Sequence, residues 1–238
     1  GTTLTVAGFN IAVTGATSVS GTLTHSSTTG TKTYSGDITI NSGGLITETV
    51  AEPIAYGGNV TINSGGTLTE FGAAAMTFAG SFQNDGTYNP STGAHTFSGT
   101  AKTLSGANTI SIPTVTVTGT YANNGTLAVA TLLTVTSPGV LTNNGTITAT
   151  TALSGTGTLT QGSNVVLNIG AASAITGLTA TANPNTVNFT GAAQTVKATA
   201  YHHLNLSGSG AKTLTSITTI NGNLALSGTA TASTAAAL

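Results

Sequence analysis

The chain of 238 residues has no cysteine, no tryptophan and no arginine, and its four lysines and five carboxylates make only 4% of it charged, where an ordinary globular domain carries about 25%. Each absence excludes something. Without cysteine there is no disulfide framework and no thiolate metal site. With no arginine and a net charge of −1, nothing neutralises a phosphate backbone, which excludes nucleic acid as a partner. No apolar run approaches the ~18 residues of a spanning helix, so no membrane-spanning segment is expected. No basic segment followed by an apolar core stands at Gly1, and the chain reads as mature or as a piece of something longer. Helical patterning is nearly absent too. Only Ala73 to Met76, Ala171 to Ala174 and Ala235 to Leu238 offer short helical turns, because threonine's stiff χ1 disfavours helix elsewhere.

What the chain has is threonine, 54 residues of it, with 32 glycines and a hydrophobic fraction of 38% that must be buried somewhere. It also repeats. Asp37-Ile38-Thr39-Ile40-Asn41-Ser42-Gly43-Gly44-Leu45-Ile46-Thr47-Glu48 recurs as Asn59-Val60-Thr61-Ile62-Asn63-Ser64-Gly65-Gly66-Thr67-Leu68-Thr69-Glu70, a shift of roughly 22 residues, in the range of stacked arrays. Degenerate copies follow at Gly86-Thr87-Tyr88, Gly125-Thr126-Leu127 and Gly145-Thr146-Ile147. A second element joins an aromatic, a small residue and glycine: Tyr34-Ser35-Gly36, Phe78-Ala79-Gly80, Phe97-Ser98-Gly99 and Phe189-Thr190-Gly191. A longer repeat sets Val115-Thr116-Val117-Thr118-Gly119 against Leu204-Asn205-Leu206-Ser207-Gly208, a shift of about 90 residues.

Inside each copy the period is two, Ile38 and Ile40, Val60 and Ile62, with Thr, Asn or Ser between, which is the pattern of half-buried strands. Gly-Gly and Asn-Gly steps turn the corners. Asn-Gly between alternating apolars is also the strongest hairpin signal. Repetition of like residues favours parallel stacking instead, because it sets each Ile, Asn and Thr on its counterpart in the next coil. The expected fold is all-β: a right-handed parallel β-solenoid (β-helix) over residues 1–238, continuous, with about eleven coils of roughly 20–22 residues and a length on the order of 50 Å.

Tyr201-His202-His203-Leu204-Asn205-Leu206-Ser207-Gly208-Ser209-Gly210-Ala211-Lys212-Thr213-Leu214, with the Thr-Phe-Ser-Gly and Ile-Asn-Ser-Gly-Gly-Thr-Leu elements, resembles the tandem repeats of large Thr/Gly/Asn-rich bacterial surface proteins, the adhesin-like and autotransporter-passenger-like β-solenoids. The resemblance implies export, an extracellular or cell-surface location, and a role in attachment or in a surface fibre. Residues 1–31 and 213–238 carry no charge, whereas solenoid ends ordinarily have polar caps. The expected partner is therefore the chain itself, as a head-to-tail homopolymer or as covalent tandem repeats, with surface glycans as a further class.

Candidate sites are few. Solenoids also serve enzymes, and glycoside cleavage needs two carboxylates across the bond. Asp37, Glu48, Glu52, Glu70 and Asp85 are the only acids. Glu48 and Glu70 occupy the same place in successive copies, which reads as a solvated face rather than as a catalytic pair or a weak cation site. His202 and His203 point to opposite faces if they lie in one strand, so they cannot chelate together. Beyond Asp85 only His95, His202 and His203 remain as bases, and no Gly-x-Ser-x-Gly, Walker or dinucleotide pattern is present. Catalytic, cofactor-binding and metal-binding residues are therefore assigned as none, and the chain is not expected to be an enzyme. Tyr34, Phe78, Phe97 and Phe189 read as one stacked core row. Lys102, Lys197 and Lys212 read as a weak positive charge on the C-terminal part. Thr-x-Thr ranks at Thr67, at Thr114 to Thr118, at Thr146 to Thr150 and at Thr213 suggest ice binding as an alternative, but they do not recur at one coil position. Asn59, Asn124, Asn144, Asn188 and Asn205 head Asn-x-Ser/Thr sequons, acceptors only where N-glycosylation operates.

Overall fold

A computed structural model describes residues 1–216 and 219–234. The period-two pattern does what it predicts: in Ile38–Ile40 and Val60–Ile62 the two outer residues are buried and the threonine between them faces out. Among the described residues there are 29 strands and no helix. Every strand pairing is parallel. The Gly-Gly and Asn-Gly steps therefore turn corners within a winding and make no hairpins. Two of the expected helical turns are corrected: Met76 opens the strand Met76–Phe78, and Ala172 opens Ala172–Thr179, because each continues a parallel ladder whose pairing outweighs alanine's local preference. The third, Ala235 to Leu238, lies outside the described residues.

The early windings each lay down three short strands, one per face, and in later ones a longer strand spans two faces, as in Thr126–Val135 and Ala152–Gln161. Lys32–Tyr34, Ile38–Ile40 and Leu45–Glu48 form one winding, and Ile54–Tyr56, Val60–Ile62 and Thr67–Thr69 the next. Lys32 stacks on Ile54, Ile38 on Val60 and Leu45 on Thr67. These faces are called first, second and third below. On the third face one column runs Leu4, Leu23, Ile46, Leu68 and Tyr88 in a five-stranded sheet. It resumes as Ile110, Leu127, Ile147, Leu167, Val187, Leu204 and Leu224. That makes about twelve turns, not eleven, and at ~4.8 Å per strand a rod of roughly 55 Å. The extra turn fits because windings vary in length, from 23 residues between Leu23 and Ile46 and 22 between Ile38 and Val60 to 18 between Asn143 and Gln161 and 17 between Thr186 and His203.

The core is a set of ladders. Tyr34, Tyr56, Phe78 and Phe97 stack along the first face, with Phe78 5.1 Å from Tyr56 and 5.1 Å from Phe97, both at 16°. Phe189 is not in this row: it lies on the third face between Ile169 and Leu206. The longer repeat fails in the same way. Val115 pairs with His95 and Leu133 on the first face, whereas Leu204 pairs with Val187 and Leu224 on the third. The shift of about 90 residues is not a whole number of turns, so similar strings land on different faces. A buried amide ladder replaces the aliphatics on the second face. Asn123 donates to Asn143 at 2.9 Å, and Asn143 donates to Gln161 at 2.9 Å.

The aromatic-small-glycine element now has a physical reason. In the copies ending at Gly36, Gly80 and Gly99 the glycine sits at the corner between the first and second faces, directly over the backbone of the previous winding, and Gly191, after a third-face strand, lies over Gly170 in the same way. A Cβ at Gly80 would lie 2.1 Å from the Gly58 carbonyl oxygen, and at Gly119 1.9 Å from that of Gly99. Any side chain there would push the windings apart.

Candidate functional site

Whereas Asp37 is exposed and Asp85 half-buried, Glu48, Glu52 and Glu70, with His25, His95 and Lys32, lie inside the solenoid. Strand parity places all but Glu52 there. His25 follows Leu23 by two, Lys32 precedes Tyr34 by two, Glu48 follows Ile46, Glu70 follows Leu68 and His95 precedes Phe97, so each shares the inward side of a buried hydrophobe. Glu48 is 4% exposed and Glu70 6%, which overturns their reading as a solvated face. The sequence carried this signal: the repeat comparison matched the two glutamates to each other, but not to the alternation of their own strands.

Glu70 is fully engaged. Its Oε1 accepts from the Tyr88 hydroxyl at 2.8 Å. Its Oε2 accepts from the Ser91 amide at 2.8 Å and lies 2.7 Å from Nε2 of His95. Glu48, one winding earlier, is half engaged: Oε2 accepts from the Phe71 amide at 2.9 Å, while Oε1 is buried without a partner. Burial, and more weakly the charges of Glu70 and Glu52, push the Glu48 carboxyl up to about 8 against the pull of the Phe71 N–H. His25 pairs in register with Glu48. Its Nε2 is 2.8 Å from the Tyr34 hydroxyl and its Nδ1 has no partner. Burial, and secondarily the Lys32 charge, lower the His25 imidazole to about 4. Lys32 donates to the Thr29 carbonyl at 2.8 Å and lies 3.6 Å from Oε1 of Glu52, whose other oxygen is buried and unpaired. The Tyr56 hydroxyl is likewise unpaired, and burial holds it well above the usual phenol range.

This cluster is sealed, so the glutamate pair meets no substrate in this conformation. No group of three or more histidines and carboxylates among the described residues is placed to hold a metal ion. His202 and His203 do not point apart: their rings touch edge to face at 4.3 Å. His202 lies in the bend before the strand His203–Leu206, where alternation does not apply. Lys212 is no surface charge. It is buried and donates to the carbonyls of Gly191 and Ala192 and to Oε1 of Gln194, at 2.6, 2.5 and 2.7 Å, and burial lowers its pKa. Among the sequons, Asn124 and Asn144 are exposed and the other three are half-buried. Asn59, Asn144 and Asn188 each spend their amide nitrogen on the previous winding, donating to Asp37, Asn124 and Asn168.

Outside, the five-stranded sheet carries an ordered surface. Its outward residues form two columns in register: Thr3, Thr22, Leu45, Thr67, Thr87, and Thr5, Thr24, Thr47, Thr69, Asn89. The ranks at Thr114 and Thr146 are matched only in part: Thr116 lies between Thr96 and Thr134 and Thr146 pairs with Thr126, but Thr114 lies between Ala94 and Leu132 and Thr148 between Ala128 and Asn168. No protein-family model, curated protein or solved structure matches the chain, so the geometry alone carries a functional reading.

Proposed function

We propose that this β-solenoid is a structural, non-enzymatic segment of an extracellular cell-surface fibre or adhesin stalk, associating end to end through its open edges. One observation carries the reading: in-register parallel pairing runs through about twelve turns and leaves apolar side chains uncovered at both end levels. Leu4 and Phe9 are 59% and 78% exposed in the first turn, and Leu224 and Leu226 are 56% and 53% exposed on the last third-face strand. An open parallel edge bordered by apolar residues is a template for another strand. Backbone bonds along the axis and apolar ladders inside give such a stack endurance of the cross-β kind. Electron microscopy of the purified chain tests the proposal. Filaments well beyond roughly 55 Å that shorten in Leu4→Asp or Leu226→Asp variants support it, and single rods at all concentrations refute end-to-end association.

A second reading, ice binding, is supported by the uncharged threonine net on the five-stranded sheet, in which eight of ten outward positions are threonine. Hydroxyls would repeat at about 4.8 Å between strands and about 6.7 Å along them, held stiff by the branched χ1. Inhibition of ice recrystallisation by the wild type, lost in Thr24→Tyr/Thr69→Tyr, is the expected result. An inactive wild type ends this reading and leaves the fibre reading untouched.

A further inference from the structure

The titratable groups inside the rod fall into two stretches, His25 to His95 and Tyr201 to Lys212, and the windings between them hold only Tyr121. From Ile110 to Ile169 the buried positions hold aliphatic residues, Tyr121 and the amides of Asn123, Asn143 and Gln161, with no carboxylate, imidazole or ammonium among them. Where the early third-face strands point His25 and Glu48 inward, the later ones point Ile112, Val129, Ala149 and Ile169. In the windings between His25 and His95 the third-face strands contribute His25, Glu48 and Tyr88, with Glu70 just beyond Thr67–Thr69. The first-face strands contribute Lys32, Tyr34, Tyr56 and His95, and the connecting loop Glu52. The second-face strands present only Ile38, Ile40, Val60, Ile62, Phe82 and Asn84, none of which titrates. Four ionisable side chains there, His25, Glu48, Glu52 and Tyr56, each keep a buried atom without a partner.

We infer that the windings from His25 to His95 form a proton-operated segment of the rod, shut while the Glu48 carboxyl is protonated and the His25 imidazole is neutral, and opening on either side of that window while the windings from Ile110 to Ile169 stay closed. The directions follow from burial. Glu48 is neutral in the closed segment and ionises at about 8, so its contribution is fully present below the ordinary carboxyl range and is lost as pH rises through that value. His25 is the reverse: with its proton binding lowered to about 4, its contribution is present above the ordinary imidazole range and is lost as pH falls. Between about pH 4.5 and 6.5 the two slopes cancel, and outside it each acts alone. The tyrosines Tyr56 and Tyr88, pushed far up by burial, keep their protons throughout. A solenoid couples each winding only to its neighbours, so a local charge opens a local stretch. The inference does not depend on end-to-end association.

Hydrogen exchange of the intact chain, corrected for the intrinsic pH dependence of amide exchange, tests it without any variant. Between pH 6.5 and 9 the opening constant of residues 22–97 should rise roughly 15-fold, and that of residues 110–169 should not change. Glu48→Gln should abolish the rise in the first stretch. An equal rise in both stretches, or none in either, overturns the inference. So does a Glu48→Gln protein that keeps the wild-type response. If that variant does not fold, the comparison of the two stretches in the wild type decides alone.

Discussion

Phe78 and Phe189 offer a controlled measurement of what stacking adds to this core. Both are fully buried, at 1% and 0% exposure, and both are flanked by a winding on either side. Only their neighbours differ. Phe78 lies parallel to Tyr56 and Phe97 and meets Phe82 edge-on at 5.1 Å, whereas Phe189 sits between Ile169 and Leu206. Truncation to alanine should cost about 3–5 kcal/mol at each site through lost burial and the cavity left behind. The two parallel rings add about 0.5–1.5 kcal/mol each. Phe78→Ala should therefore be the more costly by about 1–3 kcal/mol, because the burial and cavity contributions cancel in the comparison. Since windings open locally, hydrogen exchange of the flanking strands, Ile54–Tyr56 with Ala94–Phe97 and Val165–Ile169 with His203–Leu206, reads each cost where it arises. Equal costs, or a larger one at Phe189, would refute the view that the aromatic row contributes beyond its burial.

Ile62→Asp, or Ile40→Asp, places an unpaired charge among the second-face ladders and should unfold the neighbouring windings; an unchanged melting temperature would show that these residues are not inward. Glu70→Ala strips the Tyr88 hydroxyl, the Ser91 amide and the His95 ring of their shared acceptor and should cost about 3–5 kcal/mol in denaturant titration. Gly119→Ala drives a methyl into the Gly99 carbonyl and should lower the melting temperature far more than alanine at Gly43, where a Cβ meets open space and only the positive φ opposes it. Lys212→Met leaves the Ala192 carbonyl without its donor and the Gly191 carbonyl with only the Ser209 N–H and should raise exchange locally by the equivalent of about 1–3 kcal/mol.

The architecture was legible because it is written in repetition. The 22-residue match between Asp37 and Asn59 gave the winding and its parallel sense, and alternation around Ile38 and Ile40 gave the inward side. The site was less legible, for a reason visible in Glu48 and Glu70. Composition argues that a rare charge belongs in water, and in a chain so poor in charge that argument feels strongest. Strand parity says the opposite, and parity wins because the backbone fixes direction before the side chain's solvation is counted. Phe189 escaped for a different cause. Its string matches the aromatic-small-glycine element, but windings that vary between 23 and 17 residues carry similar strings to different faces.

The glycine corner makes the edges of the prism unequal. Where the first face meets the second, backbone rests on backbone at Gly36, Gly58, Gly80 and Gly119, and no room exists there for a side chain. Where the third face meets the first, the connection is six residues long between His25 and Lys32, five between Glu48 and Ile54, and one between Ile112 and Thr114. Lengthening or grafting thus suits the third-to-first connections of the early windings, and peptides inserted after His25 and after Glu48 would be displayed one winding apart.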